Sequence, residues 1–289
     1  EARVDLPSAL NLQTIILADI DADMKPDIVV PNNNSGTISI YRNISVPGSI
    51  TTSSFESKVD FVTGMNPYSA VVADLDLDGK PDLAVTNTMS ATVSVFRNIG
   101  PTGSINASTF DTKIDFFTGY GPRGLTVGDI NGDGKPDLII SLSVNNSISV
   151  LKNICSPCAL TAVSFEDKSE FETWTSPEAS IVGDIDGDNK PDIAVVNNGS
   201  NVVSVFRNIM PLPVPPQITS FTPSSGQVGS TVTINGSNFS IMPSENTVKF
   251  GSIEATVSSS TSTQLIVLVP AGFTSEPVSV TVNELTATS

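Results

Sequence analysis

The chain has 289 residues, 39% of them hydrophobic, and its 30 acidic against 14 basic side chains give a formal net charge of −16. That length and apolar content suit a soluble two-domain protein with sizeable cores, and so negative a charge excludes nucleic acid as a partner. No apolar run reaches bilayer length, so no transmembrane segment is expected, and no signal peptide is visible.

The first predicted element, the apolar run Ile15–Leu17, returns as Ala70–Val72, Leu125–Val127 and Ile181–Val182 and reads as a strand buried on both faces. Each copy runs into an acidic loop: Asp19-Ile-Asp21-Ala-Asp23, Asp74-Leu-Asp76-Leu-Asp78, Asp129-Ile-Asn131-Gly-Asp133 and Asp184-Ile-Asp186-Gly-Asp188. Each loop continues into Lys-Pro-Asp, ending at Asp27, Asp82, Asp137 and Asp192. The first aspartates stand 55 residues apart throughout, without insertion or deletion, so a repeat architecture is expected.

Oxygen donors at loop positions 1, 3, 5 and 9, with a backbone carbonyl at 7, converge on one point. So many hard oxygen ligands in irregular geometry suit calcium rather than magnesium. The expected ligands are Asp19, Asp21, Asp23 and Asp27 with the Lys25 carbonyl, and Asp74, Asp76, Asp78 and Asp82 with that of Lys80. The third set is Asp129, Asn131, Asp133 and Asp137 with Lys135, and the fourth Asp184, Asp186, Asp188 and Asp192 with Lys190. Up to four calcium ions follow. Position 6 needs left-handed backbone, which Gly79 and Gly134 adopt freely and Asn189 tolerably; Met24 carries a steric penalty there, making the Asp19 site the weakest. Asp, Asn and Gly favour plain surface turns without metal, but four recurrences of the full spacing argue against that reading. Crowded carboxylates repel by roughly 1–4 kcal/mol per pair, so metal binding is expected to couple to local folding.

A second apolar run follows each loop, at Pro26–Val30, Pro81–Val85, Pro136–Ile140 and Pro191–Val196, with proline at the tolerated first position of a strand. A third segment alternates in polarity, at Thr37–Tyr41, Thr92–Phe96, Ser147–Leu151 and Val202–Phe206, and predicts partial burial. The polar fourth, Glu56–Asp60, Asp111–Asp115 and Glu166–Glu170, predicts an exposed edge. This gradient over four strands is that of a β-propeller blade. The last repeat ends after its third strand, and Glu1–Asp5 aligns with Glu56–Asp60, so the amino-terminal segment is a candidate for completing the last blade. The expected fold is all-β, with four four-stranded blades forming a closed four-blade ring or part of a larger one, followed by a small C-terminal β-sandwich.

The Asp-x-Asp-x-Asp-Gly-x-x-Asp loops between short strands resemble FG-GAP (also called VCBS) repeats over residues 1–209. The resemblance implies a β-propeller, as in integrin α subunits, with structural calcium between the first two strands of a blade. The chain departs from that family at Met24 and Asn189, where glycine is favoured, and from its common seven-blade ring.

Composition shifts at the Pro-rich linker 210–215. Beyond it, Ile218–Thr222, Thr231–Asn235, Thr247–Phe250, Leu265–Val269 and Val278–Val282 are β-rich runs separated by Gly, Ser, Pro and Asn turns, the pattern of a small sandwich. Pro216-Gln-Ile-Thr-Ser-Phe-Thr-Pro223, Gly226, Gly229, Gly236-Ser-Asn-Phe239 and Val248-Lys-Phe-Gly251 resemble the IPT/TIG immunoglobulin-like domain over 216–289. That resemblance implies an Ig-like spacer or binding domain with one more strand after Thr286–Ser289. Its absence points to truncation or to a strand supplied by another chain.

Cys155 and Cys158 read as a small local disulfide, because no helix opens at this Cys-x-x-Cys, and zinc would need two more soft ligands where histidine is absent altogether. Trp174 replaces Gly64 and Gly119 of the other copies; ordinary packing is preferred over a stacking platform for a sugar ring. The acidic residues are spread over equivalent turns rather than gathered in one asymmetric constellation, so catalysis is not expected. The preferred function is a secreted or cell-surface adhesion module, calcium-stabilised, that binds a glycan or protein. The alternatives are a structural subunit of a self-assembling extracellular layer or filament, and the non-catalytic part of a larger secreted hydrolase.

Overall fold

A computed structural model describes every residue except 1, 2, 9, 10, 156–159, 212, 225, 273–276 and 284. The described residues form strands and three short 3-10 turns, grouped in two compact units, one drawn from residues 1–209 and the other largely from 210–289.

In the first unit the sheets are simple antiparallel meanders. The first runs β1 (Ile16–Ala18), β2 (Asp27–Asn32), β3 (Thr37–Tyr41), β4 (Val59–Val62). The second runs β5 (Pro67–Ala73), β6 (Asp82–Asn87), β7 (Thr92–Phe96), β8 (Ile114–Phe117). The third runs β9 (Pro122–Gly128), β10 (Asp137–Leu142), β11 (Ser147–Leu151), β12 (Ser169–Glu172). The fourth has three strands, β13 (Pro177–Gly183), β14 (Asp192–Asn197) and β15 (Val202–Phe206). Register repeats with the sequence: Leu17 pairs with Ile28, Val72 with Leu83, Val127 with Leu138 and Val182 with Ile193.

Successive blades pack face to face. Ile20, Val29, Ile38 and Ile40 of the first blade share a core with Leu83, Val85, Phe96 and Phe110 of the second. Leu75, Ala84, Val93 and Val95 of the second meet Leu138, Ile140, Leu151 and Phe165 of the third in the same way. Each wholly buried aliphatic side chain contributes about 1.5–3 kcal/mol, so the inner strands read as continuous apolar runs because both of their faces are interfaces.

Three expectations change. The alternating third strands are buried almost throughout in the first three blades, not half-buried. Their serines lie inside a hydrogen-bonded chain across the sheet: Asn32 Nδ2 donates to Ser39 Oγ at 2.7 Å, which donates to Asp60 Oδ1 at 2.5 Å. Asn87, Ser94 and Asp115 repeat it at 2.8 and 2.6 Å. The fourth strands begin three residues later than expected, after a bend that carries Glu56 N to the Arg42 carbonyl. Finally, residues 3–8 form no strand; they lie against their own first blade, where Tyr41 Oη donates to the Pro7 carbonyl at 2.6 Å.

The second unit is a two-sheet sandwich of β16 (Gln217–Thr222), β17 (Thr231–Ser237), β18 (Thr247–Phe250), β19 (Ile253–Ala255), β20 (Val257–Thr261), β21 (Gln264–Leu268), β22 (Val278–Val282) and β23 (Leu285–Thr288). The sheet orders are β16-β17-β21-β20 and β19-β18-β22-β23, around a core that includes Ile234, Val248, Leu265, Val267 and Val280. The strands β19, β20 and β23 were not expected; they are short or rich in Ser and Thr and border their sheets, where a strand needs only one apolar face.

Candidate metal centres

Each acidic loop joins the first two strands of a blade. Its opening aspartate folds the turn onto itself: Asp19 accepts from Asp23 N at 3.0 Å and Met24 N at 2.8 Å, and Asp74 from Asp78 N at 3.0 Å and Gly79 N at 2.9 Å. Position 6 is left-handed as expected, with φ of 68° at Met24, 85° at Gly79, 82° at Gly134 and 64° at Asn189. Position 4 is left-handed too, at Ala22, Leu77, Gly132 and Gly187, a requirement the two glycines signal in the sequence.

Three loops bring acidic groups close enough to hold a metal ion, with ligand atoms within 4.8 Å of one another: Asp19, Asp21 and Asp27; Asp74, Asp76 and Asp78; Asp184, Asp186 and Asp192. Asp21 is 4% exposed and its Oδ1 is buried without a hydrogen-bond partner. An orphaned carboxylate oxygen beside two other carboxylates is what a hard cation satisfies. In the third loop Asn131 bonds within the turn, its Oδ1 accepting from Asp133 N and its Nδ2 donating to Asp133 Oδ2, both at 3.1 Å.

The ninth-position aspartates do something the spacing does not reveal. Both oxygens of Asp82 cap backbone groups, Leu75 N at 2.9 Å and Asn98 N at 2.7 Å, and Asp27, Asp137 and Asp192 make the equivalent pairs. They tie the loop to the end of the third strand. Burial pushes the Asp27 carboxyl up to about 6 and that of Asp82 to about 7, with the neighbouring loop aspartates adding to the rise against those backbone bonds.

A second missed feature is an arginine that ends the third strand. Arg42 forks onto Asp21 and Asp23, Arg97 onto Asp76 and Asp78, and Arg207 onto Asp186 and Asp188. The next position is asparagine in every repeat, and from the second repeat on it links blades: Asn98 Nδ2 reaches the Ile20 carbonyl at 2.8 Å, Asn153 that of Leu75 at 2.7 Å, and Asn208 that of Ile130 at 2.8 Å. The Arg-Asn pair at fixed distance from the first, second and fourth loops, Lys152-Asn153 in the third, was the available signal.

Elsewhere, Trp174 is 62% exposed, so ordinary packing does not describe it. Cys155 is buried, and it holds a free thiol that donates to the Leu75 carbonyl at 3.1 Å and is pushed up to about 11 by burial. Its expected partner, Cys158, lies outside the described residues. Near the inner strands, Thr14, Tyr68, Leu125 and Glu178 line a cavity of about 260 Å3, and Arg123 pairs with Glu178 and lies 5.5 Å from the Tyr68 ring centroid.

Family models match the FG-GAP-like repeat at residues 19–85 and 76–140 and the IPT/TIG domain at 216–289. The chain carries FG-GAP-like repeats followed by an IPT/TIG domain. The fourth acidic loop lies beyond the matched residues yet gathers the same three positions as the first loop. No curated protein matches the chain. Among solved structures, two of BBS1N in complex with ARL6DN, soaked with mercury and with lead, align over 97% of this chain and 91% and 83% of theirs. Their identities are 10% and 12% and their TM-scores 0.42 and 0.41. A structure with xylogluco-oligosaccharide aligns at 14% identity and a TM-score of 0.24, over 91% of this chain and 56% of that one. Both domain types are typical of extracellular or cell-surface proteins and are typically non-catalytic. Among the described residues no helix is long and apolar enough to cross a membrane.

Proposed function

We propose that the chain is a non-enzymatic extracellular recognition module whose blades are stapled by calcium and whose ligand is a glycan or a protein. The observation that carries the reading is the aspartate group repeated in three blades, one of them with a buried, unpartnered carboxylate oxygen. In the first loop Asp19, Asp21, Asp23 and Asp27 hold the ion with the Lys25 carbonyl, and the equivalents do so in the others. The ion's chemistry here is charge neutralisation: it lets crowded carboxylates close a turn that joins two strands.

The meander puts the connections between the second and third strands, and between blades, at the end of each blade away from the acidic loops. That end exposes Met65, Met89, Tyr120 and Trp174. Exposed aromatic faces of this kind suit stacking on a sugar ring or anchoring a protein partner. Calorimetry checks the metal: calcium gives a binding isotherm and a raised melting temperature, magnesium much less, and absence of both calcium responses ends the proposal. For the ligand, Trp174→Ala abolishes glycan-array binding while leaving the melting temperature unchanged. A variant that binds as well as the parent removes Trp174 from the ligand surface.

A further inference from the structure

In every internal blade interface one face donates the same loop and strand positions. Ile38, Val93 and Ile148 occupy one such position and are fully buried. Their equivalent in the fourth blade, Val203, is 65% exposed, and Ile181, Ile185 and Val205 around it are exposed as well. The opposite face is open at the other end of the unit. Leu17, equivalent to the partly buried Val72 and Val127, is 65% exposed, and Ile15, equivalent to Ala70 and Leu125 at 4% and 8%, is 67% exposed. The unit thus ends in two unpartnered faces that are complementary halves of the interface it builds internally.

The polar groups match in the same sense. Asn98, Asn153 and Asn208 each bond a carbonyl of the preceding blade as well as a proline carbonyl of their own; Asn43, their equivalent, bonds its own Pro26 carbonyl at 2.9 Å. By register, the missing acceptor is the carbonyl of Ile185. Among the described residues the fourth blade has no fourth strand, leaving β15 as an edge, while residues 3–6 have that strand's chemistry. Arg3 pairs with Asp5 as Lys58 does with Asp60 and Lys113 with Asp115. Leu6 stands at the position of Phe61 and Phe116. Asp60 and Asp115 accept the serine hydroxyl of the third strand, so Asp5 is the natural acceptor for Ser204.

We infer that a second copy of this chain docks head to tail: the first blade of one copy packs on the fourth blade of the next, and residues 3–6 add to β15 as its fourth strand. The contact is heterologous, so it closes into a ring or propagates as a filament.

The test uses the whole chain in calcium buffer, with mass measured by light scattering and sedimentation. The parent forms dimers or longer assemblies. Leu17→Asp blocks one face and Val203→Asp the other; each variant alone is monomeric, and mixing them restores a one-to-one complex, because each retains the face the other lacks. Asp5→Ala weakens assembly about tenfold through loss of the charge-assisted bond. Both aspartate substitutions fall on exposed side chains, so unchanged melting temperatures separate lost docking from lost folding. A parent that stays monomeric at high micromolar concentration overturns the inference, as does an assembly that either single variant still forms alone.

Discussion

The second and third repeats share a register and a strand order, each in its own sheet, yet differ in a coupled way. In the second, Asp76 sits at loop position 3 and Arg97 forks onto it and Asp78. In the third, Asn131 replaces that acid and Lys152 replaces the arginine, turning away to pair with Glu166 at 3.0 Å. Across the sheet, the Asn87–Ser94–Asp115 chain becomes Leu142, Ser149 and Glu170, and Ser149 Oγ is left buried without a partner. Glu170 bonds Ser147 instead. A repeat therefore varies by networks rather than by single positions: losing one charge removes the reason for its counter-charge.

The largest effect sharpens this contrast through metal. Calcium held at a hundred times the dissociation constant of a site adds about 2.7 kcal/mol for that site, and acid should move the two states in opposite directions. Asp27 and Asp82 titrate in the metal-free fold near 6 and 7, well above their unfolded value. A raised folded pKa means stability that is fully present below the unfolded value and is lost as pH rises through the folded one. In EDTA, melting temperature should rise as pH falls from 7.5 toward 5; in calcium it should fall, because protons then compete with the ion. Parallel pH slopes in the two buffers would separate these carboxylates from the metal. Replacing Asp76 with Asn, which gives the second loop the third loop's composition, should reduce the calcium gain most.

Next in size is the arginine. Removing Arg97 leaves Asp76, itself wholly buried, without its charge-assisted bonds, and Arg97→Ala should cost about 2–3 kcal/mol in metal-free protein. Lys152→Ala removes only an exposed pair and should cost about 0–1 kcal/mol. Equal losses in urea melts would show that the two repeats are not wired differently.

Much of this was legible before any coordinates. The constant spacing located the loops, and the apolar gradient located the blades, because both follow from short-range chemistry. Burial of the third strand was not: Ser39 and Ser94 look half-exposed in an alternating run, and only the cross-strand Asn and Asp partners, distant in sequence, make burial tolerable. The same distance hid the arginine fork and the capping role of Asp82, which bonds groups on both sides of it in the chain. Trp174 misled for the opposite reason. Gly64 N donates to Asn87 Oδ1 and a Cβ there would come within 2.7 Å of Asn87, but in the Trp174 connection Thr173 Oγ1 makes the bond to Asn197, and the indole stays outside.

The serine networks give a smaller effect with a sign. Ser94→Ala removes the short bonds from Asn87 Nδ2 and to Asp115 Oδ1, leaving Nδ2 the longer ones to Thr92 Oγ1 and the Val85 carbonyl, and should cost about 1–3 kcal/mol, whereas Ser149→Ala removes a hydroxyl that has no partner and should be neutral or stabilising. Equal destabilisation of both variants would mean that Ser149 has a partner in solution, such as ordered water, and the contrast between the repeats would fail there.

The smallest effect lies in the first loop, where Met24 holds a left-handed φ of 68° with its side chain 92% exposed. A side chain that makes so little contact contributes almost no packing, so Met24→Gly removes a backbone penalty of roughly 1–2 kcal/mol while adding unfolded-state entropy that takes back about half of it. The net gain should be a fraction of a kcal/mol in EDTA. In the second loop the same logic runs backwards: Gly79→Met, at φ 85°, should destabilise by about 1 kcal/mol. Matched urea melts of the two variants read the backbone term with opposite signs. If Met24→Gly is destabilising, the exposed methionine has a contact that its 92% exposure conceals, and the first loop is not the strained one.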